Sequence, residues 1–247
     1  MSTLKDIMVK RKNIKFFKQD VYPSKEEIQQ LLKDAHELVP QKNNLFQFHV
    51  DIYGPEHIKE KEQLVLNTVC GVGKQHYRPG GKNFRKYDEL KKIYEEWKQI
   101  VNKKEYNYSK WKNVEFNEQV RAPYLLVYTK RLRMPTKKQI EKGFPSYIFE
   151  FSTGQKDNSW YIGASMHGFG LSLLANEKNI SAAFCKCFFY DDFNYTNILA
   201  PAKKSSHDIV FMLGLGYEDK DTKYYQQKNK PDVNEIVRWK WKYYVFV

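Results

Sequence analysis

Residues able to do chemistry are spread along this 247-residue chain and form no catalytic signature. Six histidines (His36, His49, His57, His76, His167, His207) show neither the His-Glu-x-x-His nor the His-x-His spacing that sets two ligands on one metal. Cys185 and Cys187 have no second Cys/His pair at ligand spacing. With Cys70 they make an odd set without a disulfide framework, which fits a reduced intracellular compartment. Gly71-Val72-Gly73-Lys74 is no phosphate loop, because Thr68 stands where that loop needs its first glycine and Gln75 where it needs Ser or Thr. Gly168-Phe169-Gly170 falls inside a helical pattern, where a dinucleotide fingerprint does not belong. No Gly-x-Ser-x-Gly elbow supports a Ser-His-Asp triad.

Four segments, distant in sequence, share a different chemistry: each suits a flat, phosphorylated ligand. Arg11-Lys12-Asn13-Ile14-Lys15 puts three cations and an amide within five residues, and a phosphate dianion is best held by several cations plus amide donors. Pro40-Gln41-Lys42-Asn43-Asn44 is a loop of polar side chains able to hydrogen-bond a ring edge. A helix rich in small residues runs toward Asn179-Ile180-Ser181-Ala182-Ala183-Phe184. Lys228-Asn229-Lys230-Pro231 is a basic clip near the other end of the chain.

The elements that must position these segments follow from periodicity. Residues 2–10 read as a short helix with Ser2 as its N-cap. Ser24 and Glu27 form a capping box, ahead of Ile28, Leu31, Leu32, Ala35 and Val39 at helical spacing. Phe46, Phe48, Val50 and Ile52 alternate with polar residues, as in a half-buried strand. Gly54-Pro55 ends it, and residues 56–69 return to a helical pattern. An aromatic stripe from Phe84 to Val101 marks another helix, and Pro123–Tyr128 a buried strand. Trp160–Ala175 is a helix whose glycines at 163, 168 and 170 each cost ~1 kcal/mol relative to alanine, so close packing against a helix or a flat ligand is expected there. Ile180–Tyr190 and Asp208–Leu215 read as strands, and the β-prone tail from Trp239 to Val247 has no turn to fold it back. The order is that of a single α+β domain.

Composition narrows the classes. Forty-two Lys and Arg against 29 Asp and Glu give a formal charge of +13, but only seven of the cations are arginine. Base-edge readout and bidentate phosphate forks favour arginine, so nucleic acid is disfavoured as the main partner. No run approaches the ~20 apolar residues of a membrane span. The N-terminus carries charges throughout and has no apolar secretion core, so a cytoplasmic protein is expected.

In their order, these segments resemble the nitroreductase family of FMN-dependent oxidoreductases. The resemblance rests on R-K-N-I-K (11–15), P-Q-K-N-N (40–44), Ala122-Pro123, G-A-S-M-H-G-F-G-L-S-L-L-A (163–175), Asn179-Ile180, G-L-G-Y (214–217) and K-N-K-P (228–231). It implies one FMN-binding domain over residues 1–247, with insertions at about 70–116 and 131–157. The implied fold has three α-β-α layers, a central, mainly antiparallel sheet, and a C-terminal strand that two subunits can exchange.

Carried over by position, the resemblance implies that Arg11, Lys12, Asn13 and Lys15 surround the FMN phosphate and ribityl chain, with Lys228 and Lys230 closing from the other side. Gln41, Lys42 and Asn44 would face the flavin, Asn117 its pyrimidine edge, and Phe184 and Lys186 the region near N5. The sequence departs from the family pattern at Asn13, Gln41, Asn179, Lys186 and Lys230. A lysine at 186, where relatives carry an acidic residue, would favour a negatively charged reduced flavin. The implied activity is hydride transfer from NADH or NADPH through flavin N5 to an oxidised small molecule (quinone, nitro compound or enone) by a ping-pong cycle in a homodimer, with no catalytic side chain. The alternatives are a flavin protein of the same fold with another or a lost reaction, such as dehalogenation or flavin cleavage, and a basic nucleic-acid-binding module.

Overall fold

The computed structural model describes residues 3–41, 46–67, 92, 94–96, 99, 116–130, 138, 141–143, 159–186 and 209–220. Most of the two expected insertions and the whole β-prone tail lie outside them, as do Lys42, Asn44, Lys228 and Lys230.

Helix α1 spans Leu4–Lys10. Its N-cap is Thr3 and not Ser2, because Asp6 completes the reciprocal box: Asp6 N–H donates to Thr3 Oγ1 at 3.2 Å and Thr3 N–H to Asp6 Oδ2 at 2.9 Å. Helix α2, Lys25–Leu38, starts at the expected Ser24/Glu27 box and buries Ile28, Leu31 and Ala35. Strand β1 is Phe48–Tyr53. Phe46 stays out of it: its φ is 45° and its ring stacks on His36 of α2 at 4.3 Å between centroids. Helix α3 is Ile58–Asn67.

Next come a 3-10 turn at Glu118–Arg121 and strand β2, Tyr124–Lys130. Helix α4, Ser159–Glu177, leads to β3, Ser181–Cys185, and β4 is Ile209–Gly216. The strands pair antiparallel in the order β1-β2-β4-β3. Flanked on both sides, β2 and β4 bury almost every residue, which explains their unbroken apolar runs.

One face of the sheet (Tyr124, Leu126, Tyr128, Phe211, Leu213, Leu215) packs against α2 and α4 in the main core. On the other face, Ile14, Phe17, Ala122 and Ala183 form a smaller cluster. There the N-terminal segment and the 3-10 turn cover the sheet. Residues 13–18 are stitched to it by an Asn13–Ala182 bridge, and by Lys18 N–H donating to Tyr217 C=O at 2.9 Å.

Helix α4 ends in a Schellman motif. Ile180 N–H donates to Ala175 C=O at 2.9 Å and Asn179 N–H to Asn176 C=O at 3.1 Å. Asn179, standing where the family pattern has glycine, adopts φ 59°. Asparagine enters this left-handed region more readily than other side-chain-bearing residues.

Candidate functional site

Helix α4 is the platform on which the sequence-predicted residues meet. Its glycines allow this. A Cβ at Gly168 would lie 2.6 Å from Phe211 Cζ and 3.2 Å from Phe184 Cε1. The helix therefore seats directly on two aromatic rings of the sheet, so at Gly168 the close packing is made against strands and not against a helix or a flat ligand. Gly170 is pressed against Val39 in the same way, and Gly163 against Gln41.

Around that platform, Gln41 Nε2 donates to Gly163 C=O at 3.2 Å. The Lys186 ammonium lies 4.8 Å from the centre of the Tyr161 ring, and the Arg11 guanidinium 5.6 Å from that of Phe169. Asn13 Oδ1 accepts the Phe184 N–H at 2.6 Å, so the N-terminal motif is tied to β3. That bond uses the carbonyl of Asn13 and leaves its amide N–H groups for a further acceptor. The Phe184 ring in turn packs on Phe211 at 5.4 Å. Arg11, Asn13, Gln41, Phe184 and Lys186, drawn from three segments, thus share the rim of α4 and the strand β3.

Three predicted residues sit differently. Lys15 lies near its neighbour Phe16, 6.0 Å from the ring centre. Lys12 turns away from Arg11 and Asn13 and pairs with Glu218 at 3.6 Å. Asn117 is fully buried at the head of the 3-10 turn, where its Oδ1 accepts from Gln119 Nε2 at 3.2 Å.

Two buried polar residues were not foreseen. His167, 4% exposed, has Nδ1 2.9 Å from the Tyr128 hydroxyl, and its ring packs on Phe48 at 5.1 Å. Burial first, and then His36, hold its pKa down at about 4. Lys61, also 4% exposed, donates to three backbone carbonyls: Gly54 at 2.9 Å, Ala122 at 3.0 Å and Pro123 at 2.8 Å. Burial lowers its pKa to about 8, against the opposing pull of Glu56. The signal for each was helical spacing. His167 lies three after Ala164 and four before Leu171, and Lys61 three and four before Leu64 and Val65, all of them buried.

Among the described residues no group of three His, Cys, Asp or Glu is placed to hold a metal, and no helix is long and apolar enough to cross a membrane.

No family model matches the sequence, and no curated protein does. Solved structures do match. A nitroreductase-like family protein from Bacillus cereus aligns over 97% of this chain and 96% of its own, with 15% identity and a TM-score of 0.58. A nitroreductase with bound FMN from Bacteroides fragilis aligns over 96% of this chain and all of its own, with 10% identity and a TM-score of 0.57. CLA-ER, an enone reductase of a gut-bacterial fatty acid saturation metabolism, covers 97% and 98%, with 14% identity and a TM-score of 0.58. What persists at such low identity, over nearly the full length of each partner, is the architecture: this chain has the nitroreductase fold.

Proposed function

We propose that the protein is an FMN-dependent oxidoreductase that takes hydride from NADH or NADPH and passes it to an oxidised small molecule. The observation that carries this is the convergence of Arg11, Asn13, Gln41, Phe184 and Lys186 on one rim of α4, in a chain whose fold matches that of an FMN-bound structure.

The residues present fit FMN. The amide N–H groups of Asn13 and the Arg11 guanidinium suit a phosphate, as charge-assisted donors do. The exposed ring of Phe169 and the part-buried rings of Tyr161 and Phe184 offer apolar faces beside them. When bound, FMN supplies two-electron chemistry at N5, accepting hydride from the nicotinamide and delivering it to a quinone, nitro or enone substrate. The chain's own part is positional. Arg11 neutralises the phosphate, with Lys228 and Lys230 assigned to the same task. Gln41, Lys42 and Asn44 hold polar ring edges. The Lys186 ammonium sets a positive potential at the reactive end and stabilises negative charge developing there. None of these side chains has to carry a proton.

The active form is a homodimer. Ile162, Met166 and Phe169 stand 63%, 41% and 40% exposed at helical spacing on α4, an apolar stripe beside the site that a second subunit covers.

The test is the absorption spectrum of the purified protein. Flavin bands near ~450 nm are expected, bleached by NADH or NADPH without oxygen and restored by an acceptor. Replacing Arg11 by Ala should weaken FMN binding about tenfold. Protein that stays colourless after incubation with excess FMN overturns the assignment.

A further inference from the structure

Apart from the α4 rim, a concavity of about 460 Å³ opens where the ends of α1, α4 and β4 meet. Four lysines line it: Lys10, Lys12, Lys18 and Lys220. They come from three stretches of chain, and the backbone fixes their convergence. Asn176 Nδ2 donates to Ile7 C=O at 2.9 Å, which ties the end of α1, and so Lys10, to the end of α4. Residues 16–18 run antiparallel to 217–219: Lys18 N–H donates to Tyr217 C=O at 2.9 Å and Asp219 N–H to Phe16 C=O at 3.1 Å. That pairing sets Lys18 across from Tyr217, with Lys220 three residues farther along the same ribbon.

Among the described residues that line the concavity, the carboxylate is Glu218, its side chain 12% exposed and paired with Lys12 at 3.6 Å. Asp219 is not among the residues that line it. The four lysines outnumber the carboxylates beside them, Glu218 on Lys12 and Asp6 one turn from Lys10, around a concavity whose remaining polar lining includes Asn176, Asn179 and Ser181. Like charges brought this close repel, and an anion relieves them. The α4 carboxyl end and Glu218 oppose an anion, and together they offset only part of that surplus. Lysine ammoniums act as point charges and favour phosphate oxygens without demanding the planar geometry that arginine imposes.

We propose that this concavity is a second anion site, for a small phosphorylated compound carrying two or more negative charges. It is separate from the flavin site. Arg11 and Asn13 face α4 and β3, whereas Lys12, between them, faces the concavity. The assignment does not depend on the protein being a flavoenzyme.

Inorganic pyrophosphate is the probe, titrated calorimetrically into the full chain with and without excess FMN, at low salt. Binding is expected in both cases, and it should weaken as salt is raised. The Lys18→Gln/Lys220→Gln variant should lose about tenfold in affinity, and Glu218→Gln, which removes the opposing carboxylate, should bind more tightly. Arg11→Ala should leave the affinity unchanged. Circular dichroism establishes that each variant is folded. Absence of binding overturns the proposal, as does equal affinity in the double-lysine variant. Loss of binding in Arg11→Ala also overturns it, because the anion then belongs to the α4 rim.

Discussion

His167 carries a pH signature that its partners set. Its folded pKa of about 4 lies below the ordinary 6.5, chiefly through burial. Between those values the unfolded chain takes up a proton that the native state refuses. Stability is therefore complete above pH 6.5 and falls as pH drops toward 4, by about 3 kcal/mol from this group alone. Urea unfolding at pH 7 and pH 4.5 measures the loss, and in His167→Phe most of the difference should vanish. Asn13 works at the same scale by splitting its amide, with the carbonyl spent on Phe184 N–H and the N–H groups kept outward. Serine in that place has one oxygen for both tasks, so the departure from the family pattern preserves a donor.

At the scale of elements, Lys61 is the staple between α3, the Gly54 turn and the Ala122–Pro123 corner. Lys61→Met keeps most of the volume but leaves three carbonyls without their donor, and should cost about 2 kcal/mol or more, read from the denaturant midpoint. Local rules made much of this level legible in advance. The Ser24/Glu27 box, the α2 face and the apolar run of β2 all follow from a few neighbouring residues, and the structure has them all. Phe46 was misassigned because alternation alone cannot register a ring drawn to His36 across the chain. Lys61 and His167 are residue types that usually face solvent or a ligand, although helical spacing places both among buried neighbours. The lysine-lined concavity was illegible for another reason. Its members lie up to 210 residues apart and meet only in the folded chain.

For the whole molecule, the proposed homodimer assigns the exposed stripe on α4 to a subunit interface beside the proposed flavin site. Sedimentation velocity should give a dimer of the chain, and Met166→Glu should shift it toward monomer, because a charge desolvated at such an interface is costly. A flavin held partly by the second subunit would be released more readily from that variant, so the colour of the protein should follow its assembly. Net charge has a place here too. Among the described lysines, several stand exposed to solvent and a few are gathered to a purpose. Lys61 belongs to neither group, and its seclusion makes it a clock. An acylating reagent will modify the surface amines at once, while the amine beneath Pro123 reacts only when that corner comes apart. The rate at which this single amine is acylated thus times the breathing of the folded chain.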